Sequence, residues 1–168
     1  MITPEFCRMM ARYNAWQNNG LRKLVEAMDE ADLRRDRGAF FGSILGTLNH
    51  LLWGDQIWMS RFDGGPAPAG GIKESPDLTP TPAVWGAERF RTDGRIKVWA
   101  EGLHALDLTG DLTWFSGALG REVVKPMALC VTHMFNHQTH HRGQVHAMLT
   151  AAGQKPQDTD LFIMPGET

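Results

Sequence analysis

Residues 126–152, PMALCVTHMFNHQTHHRGQVHAMLTAA, carry five of the chain's seven histidines (His133, His137, His140, His141 and His146) and a single formal charge, Arg142. No proline follows Pro126 in this stretch, as a helix with proline in its first turn requires. At ~100° and ~1.5 Å per residue, the helix lines up Cys130, His133, His137, His141, Gln144 and Met148 on one stripe, with His140 at its edge. His137 and His141, four apart, stack on adjacent turns about 6 Å from each other, as two ligands of one metal ion must. Imidazoles on so uncharged a face need partners, because each unsatisfied buried polar group costs about 1–3 kcal/mol. A divalent cation takes up the lone pairs of two or three at once. Hydrogen bonds inside a core would also satisfy them, and spacing alone leaves both solutions open.

The rest of the composition bounds the problem. A chain of 168 residues is one domain, 1–168, with room for a single sizeable core. Its formal net charge of −2 provides no basic field, which argues against nucleic acid as a partner. Cys7 and Cys130 form no CxxC pair, so neither a disulfide framework nor a thiolate metal site is expected, and a reducing cytoplasm suits them. Charges interrupt every apolar run near the start, so no signal peptide is visible. No run reaches the ~18 apolar residues that read as a membrane span.

Thr3-Pro4-Glu5 provides an N-cap, a proline at the first helical position and an acid in the first turn. The apolar period from Phe6 to Met28 then gives a first helix of roughly 25 residues, with Tyr13 and Trp16 read as core. Residues 29–41 are a charged connection. Ser43 caps a second helix running to Phe62, apolar on most sides and therefore buried. His50, the only histidine in the first hundred residues, sits on it, and Gly54 one turn later leaves room beside it. Asp55 lies ~140° round from His50, so it cannot share an ion from the same helix; it reads as a buried hydrogen-bond or ion-pair partner. Arg61, three turns along on the face of His50, reads as a solvated arginine or as a clamp for a substrate anion.

Residues 63–82 carry five of the nine prolines and form a crossover loop. Thr81-Pro82 restarts helical structure, and the period from Trp85 predicts a third helix to about Leu106, with His104 on the surface. Leu112 to Lys125 breaks the helical period and reads as a short hairpin. Gly153 stops the last helix, and the apolar cluster Leu161–Met164 docks on the body or on another subunit.

Four long helices and one extended crossover predict an all-α fold, a four-helix bundle with the site in its interior. His50 from the second helix then completes the site opened by His137 and His141. Three neutral imidazoles, without thiolate or carboxylate, are the ligand set of an open catalytic site. A general base is sought among His133, Asp55 and Cys130. Cys130 lies ~10 Å along the helix from His137, too far for a fourth ligand, and reads as a buried small hydrophobe.

The block LNHLLWGDQIWMSRF and the segment HMFNHQTHHRGQVHAML resemble the DinB-like (DinB/YfiT) family of metal-binding proteins. The likeness spans nearly the whole chain, from Asn14 and Trp16 through the His-x4-Asp block and the hairpin to HxxxHRGQ. It implies an up-down-down-up four-helix bundle holding a divalent metal, nickel or zinc, on His50, His137 and His141. It also implies that His133 lines the pocket, that His140 and Arg142 face neighbouring groups or a dimer contact, and that the protein is a homodimer. Some related proteins use low-molecular-weight thiols in S-transfer or isomerisation. The resemblance thus points to a metal-dependent, thiol-using transferase or hydrolase acting on a small molecule, with His133, Asp55 and Arg61 as catalytic candidates. The alternative is a non-catalytic metal or small-ligand binding protein of the stress or DNA-damage response. Direct DNA binding fits neither the charge nor any recognition motif.

Overall fold

Capping explains where most of the helices begin. In the computed structural model, which describes residues 2–166, helix α1 is Pro4–Glu26, and the Thr3 side chain accepts from the Phe6 N–H. The short α2, Glu30–Arg34, is capped by Asp29. Ser43 caps α3, Ile44–Asp63, which ends on Gly64 in the left-handed region at φ 69°. Thr81 caps α4, Pro82–Gly102. Strands β1, Asp111–Ser116, and β2, Arg121–Pro126, pair antiparallel from Asp111↔Pro126 to Ser116↔Arg121. Helix α5, Met127–Ala151, follows β2 directly and stops before Gly153, at φ 78°.

Three boundaries differ from the sequence expectation. The connection 29–41 contains α2, which at five residues is too short to show a period. The third helix stops at Gly102 rather than Leu106, because Leu103 turns extended at ψ 137°; a 3-10 turn, Ala105–Leu108, follows and leaves Leu106 81% exposed. Pro126 closes β2 and sits at the N-cap of the last helix instead of inside it. The tail is fastened to α1 by polar contacts ahead of its apolar cluster, and Met164 of that cluster is half-buried beside α1. The Tyr13 hydroxyl donates to the Thr159 carbonyl (2.5 Å), Gln17 to that of Asp158 (2.9 Å), and Gln157 to that of Trp16 (3.2 Å), while Phe162 stays 87% exposed.

The long helices pack α1 on α4, α3 on α5 and α3 on α4. Apolar side chains gather in two clusters. One holds Leu21, Val25, Ile44, Leu48, Trp85, Val145 and Leu149; the other holds Cys7, Ala11, Met59, Ile96, Val131, Met134 and Phe135. On each of the four helices, buried polar side chains lie between these clusters in sequence: Asn14 and Asn18, Asp55, Arg89 and Asp93, Gln138 and Arg142. Arg89 is central. Its guanidinium meets Asp55 at 2.6 Å and Asp93 at 2.7 Å. Asn14 and Asn18 donate to Asp93 at 3.1 and 3.0 Å, Gln138 donates to Asp55 at 3.0 Å, and Arg142 donates to Asn14. Burial works against the Arg89 charge, but Asp93 and Asp55 outweigh it and hold its pKa above the usual value. Among the described residues no helix is long and apolar enough to cross a membrane.

Removing one partner from a buried ion pair leaves the others charged and dry, at a cost of about 3–5 kcal/mol. Arg89→Ala is therefore expected to lower unfolding free energy by about that amount, and Arg89→Lys to recover little, since a point charge cannot bridge both carboxylates. Urea unfolding checks this, and a loss below about 1 kcal/mol would remove the layer's claimed importance.

Candidate metal centre

The His-x3-His spacing places His137 and His141 on successive turns of α5, ring centroids 4.4 Å apart. His50 reaches them from α3, with its Nε2 3.2 Å from Nε2 of His137 and its ring 4.7 Å from that of His141. One ring nitrogen from each of the three lies within 4.8 Å of the others. Two nitrogens bound at ~2.0–2.1 Å to one tetrahedral ion stand about 3.3 Å apart, so the closest pair already has the spacing of a shared ligand set.

The opposite ring nitrogens fix which lone pairs face inward. Ser75 Oγ donates its hydroxyl hydrogen to the Ile72 carbonyl at 2.7 Å and lies 2.9 Å from His50 Nδ1. Its oxygen must therefore accept from Nδ1–H, which leaves His50 Nε2 bare. His141 Nδ1 donates to Gln144 Oε1 at 2.8 Å, while the amide of Gln144 donates to His140 at 3.2 Å. His141 Nε2 is likewise left with its lone pair. Such partners orient metal-ligating imidazoles and fix their tautomer. Bare nitrogens this close repel unless a proton or a cation lies between them, and one divalent cation can satisfy all three rings.

Burial, then the neighbouring His141, pushes the pKa of His50 down to about 4. Burial and the surrounding histidines, His141 foremost, push His137 down to about 3. The pKa of His141 is also lowered, chiefly by burial. All three are neutral at pH 7, the state in which imidazole binds metal. Phe41 stacks on His50 with centroids 3.7 Å apart. At Gly54 an added Cβ would stand 2.6 Å from Cε1 of His137; the room that glycine leaves is taken by the opposing histidine.

Two of the three, His50 and His137, open on a cavity of about 970 Å³ also lined by His133, Arg61, Trp53, Trp58, Trp114, Phe115 and loop residues 70–74. His133 packs edge-on against Trp58 at 5.1 Å, and burial together with Arg61 lowers its pKa. The Arg61 guanidinium lies over Trp58 at 4.5 Å and over Trp114 at 5.1 Å; no carboxylate among the described residues pairs with it. Asp55 is placed elsewhere: its carboxylate is consumed by Arg89 and Gln138, and it does not line the cavity. Cys130 is buried, and its pKa is raised by desolvation. Arg142, expected at neighbouring groups or a dimer contact, is buried and bonds to Asn14 of α1. His140 is exposed and meets Gln144.

Sequence reasoning missed Ser75 and Phe41, both outside the long helices. Gln144 was on the stripe, and its i+3 spacing from His141 was the available signal.

The profile of the DinB family matches residues 1–166. Protein DinB of Bacillus subtilis (strain 168) is 24% identical over 172 residues, covering 98% of this chain and 97% of that protein. The crystal structure of a DinB-like protein from Bacillus cereus ATCC 10987 superposes with a TM-score of 0.63 at 16% identity, over 87% of this chain and 90% of that one.

Two outcomes follow for the site. His137→Ala should bind less than a tenth of the metal held by the parent, and Gly54→Ala should weaken binding while keeping the helical circular dichroism; elemental analysis after dialysis reads both. Undiminished metal in His137→Ala would refute the assignment. In metal-stripped protein the depressed histidine pKa values mean that the unfolded chain takes up protons first as pH falls below about 6.5. Stability is then fully present above that pH and lost between it and the folded values of about 4 and 3. Urea midpoints at pH 7.5, 6.0 and 5.0 should fall in that order, with a shallower fall in His137→Gln; a flat series contradicts the buried neutral triad.

Proposed function

The chain belongs to the DinB family, and from that premise we propose that it is a divalent-metal protein whose three-histidine centre serves a thiol-using transferase or hydrolase acting on a small molecule. The observation that carries this reading is the 3.2 Å approach of His50 Nε2 and His137 Nε2 at the edge of a large cavity. A structural zinc site would be closed by a fourth ligand, whereas three histidines leave positions open.

The proposal includes an up-down-down-up four-helix bundle. Its support is the order of core residues: α1 and α5 run from the Cys7/Val131 cluster towards the Leu21/Val145 cluster, while α3 and α4 run the other way. A cytoplasmic setting is part of the same reading, supported by two free buried cysteines.

A divalent ion, nickel or zinc, would supply Lewis acidity that favours the deprotonated form of a water or thiol placed on it. The protein's own groups do the rest. His133 lines the same cavity and is neutral at pH 7 because burial and Arg61 lower its pKa, so one ring nitrogen is free to accept a proton. Arg61 is held flat by Trp58 and Trp114 and offers a partly desolvated cation to an anionic group of the substrate. Trp53 and Phe115 provide apolar wall for the remainder.

Turnover of thiol and electrophile panels by metal-loaded protein tests the proposal. A metal-dependent rate above solution background is expected, absent in His137→Ala. His133→Asn should lower kcat about a hundredfold or more, and Arg61→Gln should raise KM for anionic substrates while leaving neutral analogues unchanged. No rate above background with any panel would leave a metal-binding protein without catalysis.

A further inference from the structure

The guanidinium of Arg61 stands well apart from the triad, and that separation limits what the large cavity accepts. His137 faces Gly54 of α3, where an added Cβ would stand 2.6 Å from its ring. One turn further along α3, Trp58 meets His133 with ring centroids 5.1 Å apart, and His133 is itself 5.8 Å from His137. The Arg61 guanidinium lies over the Trp58 ring at 4.5 Å, and Trp114 of β1 approaches it from the hairpin at 5.1 Å. Cation and metal ligands are therefore separated by one to two helical turns, roughly 6–12 Å, and His133 lines the stretch in between.

Arg61 is half-buried and lines the cavity, so a ligand there reaches it. Burial lowers its pKa, and a partly dry cation gains most from a charge-assisted hydrogen bond. Among the described residues Glu74 is the one carboxylate of the lining, and its Oε2 already accepts from the Gly71 N–H at 2.9 Å. Between the two ends the walls are apolar, with Ile57, Trp58, Trp114 and Phe115. At about 970 Å³ the space exceeds what a two- or three-carbon acid fills.

Resting on the reading of the triad as an open metal site, we propose that the substrates are amphipathic acids, in which an apolar spacer of several carbons or one aromatic ring separates the reacting atom from an anionic group. The reacting end lies at the histidines, the anion meets Arg61, and the spacer runs along Trp58 and Trp114. Trp114 is the hairpin's contribution to specificity, because it keeps a long, flexible side chain from following a shorter acid towards the triad. An acid too short to reach both ends forfeits one contact, and with it the gain in effective concentration that comes from joining two binding groups.

Calorimetric titration of the metal-loaded, full-length protein with thioglycolate, mercaptohexanoate and mercaptohexanol tests the inference. The thiol is common to all three, so the span and the anion are what vary. Mercaptohexanoate should bind about tenfold or more tighter than either of the others. Arg61→Gln should bring mercaptohexanoate to the level of mercaptohexanol while leaving thioglycolate within about threefold of its parent affinity. Trp114→Ala should narrow the gap between thioglycolate and mercaptohexanoate, whereas loss of a merely structural wall would weaken both alike. Equal affinity for thioglycolate and mercaptohexanoate overturns the proposal, as does a mercaptohexanoate advantage over mercaptohexanol that survives in Arg61→Gln. Binding of thioglycolate in either case leaves the metal reading standing. Failure of all three thiols to bind overturns that reading, and this inference with it.

Discussion

A single guanidinium shared by two carboxylates, dry and midway along the helices, sets the geometry of everything else. Arg89 of α4 holds Asp55 of α3 and Asp93 of its own helix, and Asn14, Asn18, Gln138 and Arg142 extend the contacts to α1 and α5. With Arg142 counted, two cations face two anions. Desolvating four charges is expensive, and an apolar layer of equal volume could be as stable or more so. What the polar layer adds is register: an apolar ridge can slip by a turn at modest cost, but a slipped layer leaves a buried charge without its partner. Asp55 follows Gly54, and Gln138 follows His137 in sequence. The bond between Asp55 and Gln138 therefore fixes the level at which the His137 ring enters the gap left by Gly54, and that in turn brings it to His50.

The long crossover has a related role. Residues 63–82 look like excess chain between two helices, yet they return to α3 and pack along it. Ser75 fixes the tautomer of His50, the carbonyls of Pro76 and Thr79 hold Asn49, and residues 70–74 wall the large cavity. A shorter link could join the same helices but could not place a hydroxyl at the far side of the His50 ring. Gln144 performs the corresponding task for His141 from within α5, at no cost in chain length.

How much of this could be read from sequence follows from how local each signal is. Thr3-Pro4, Ser43 and Thr81-Pro82 marked three helix starts because a cap is a contact within four residues. His137 and His141 were legible because helical spacing alone makes them neighbours. His50 was legible because it was the one histidine on a helix apolar on most sides. Arg89 and Asp93 were not legible: an arginine and an aspartate four apart look like a solvated helix face, and only Asp55, 34 residues away, reveals them as buried. Ser75 and Phe41 escaped for the same reason, since each acts on His50 from a segment without periodicity. The early end of α4 at Gly102 was signalled by the glycine itself, but the apolar period through Leu103 and Leu106 overrode it.

Whether the triad was built to hold the fold together or to serve a ligand can be argued from where the stabilising contacts lie. Two apolar clusters and the polar layer between them link all four long helices without any of the three histidines. The triad sits beside that framework, at the edge of a cavity. A centre meant as a staple would close its coordination and bind chain segments that have few other contacts. Here the two elements it joins, α3 and α5, are already packed along their length, and the cavity side is left to two tryptophans carrying an arginine that has no carboxylate partner among the described residues. Preorganised imidazoles cost stability at low pH, and the fold tolerates that cost because its strength lies elsewhere. Such an arrangement makes physical sense when the free coordination positions are what the site is for.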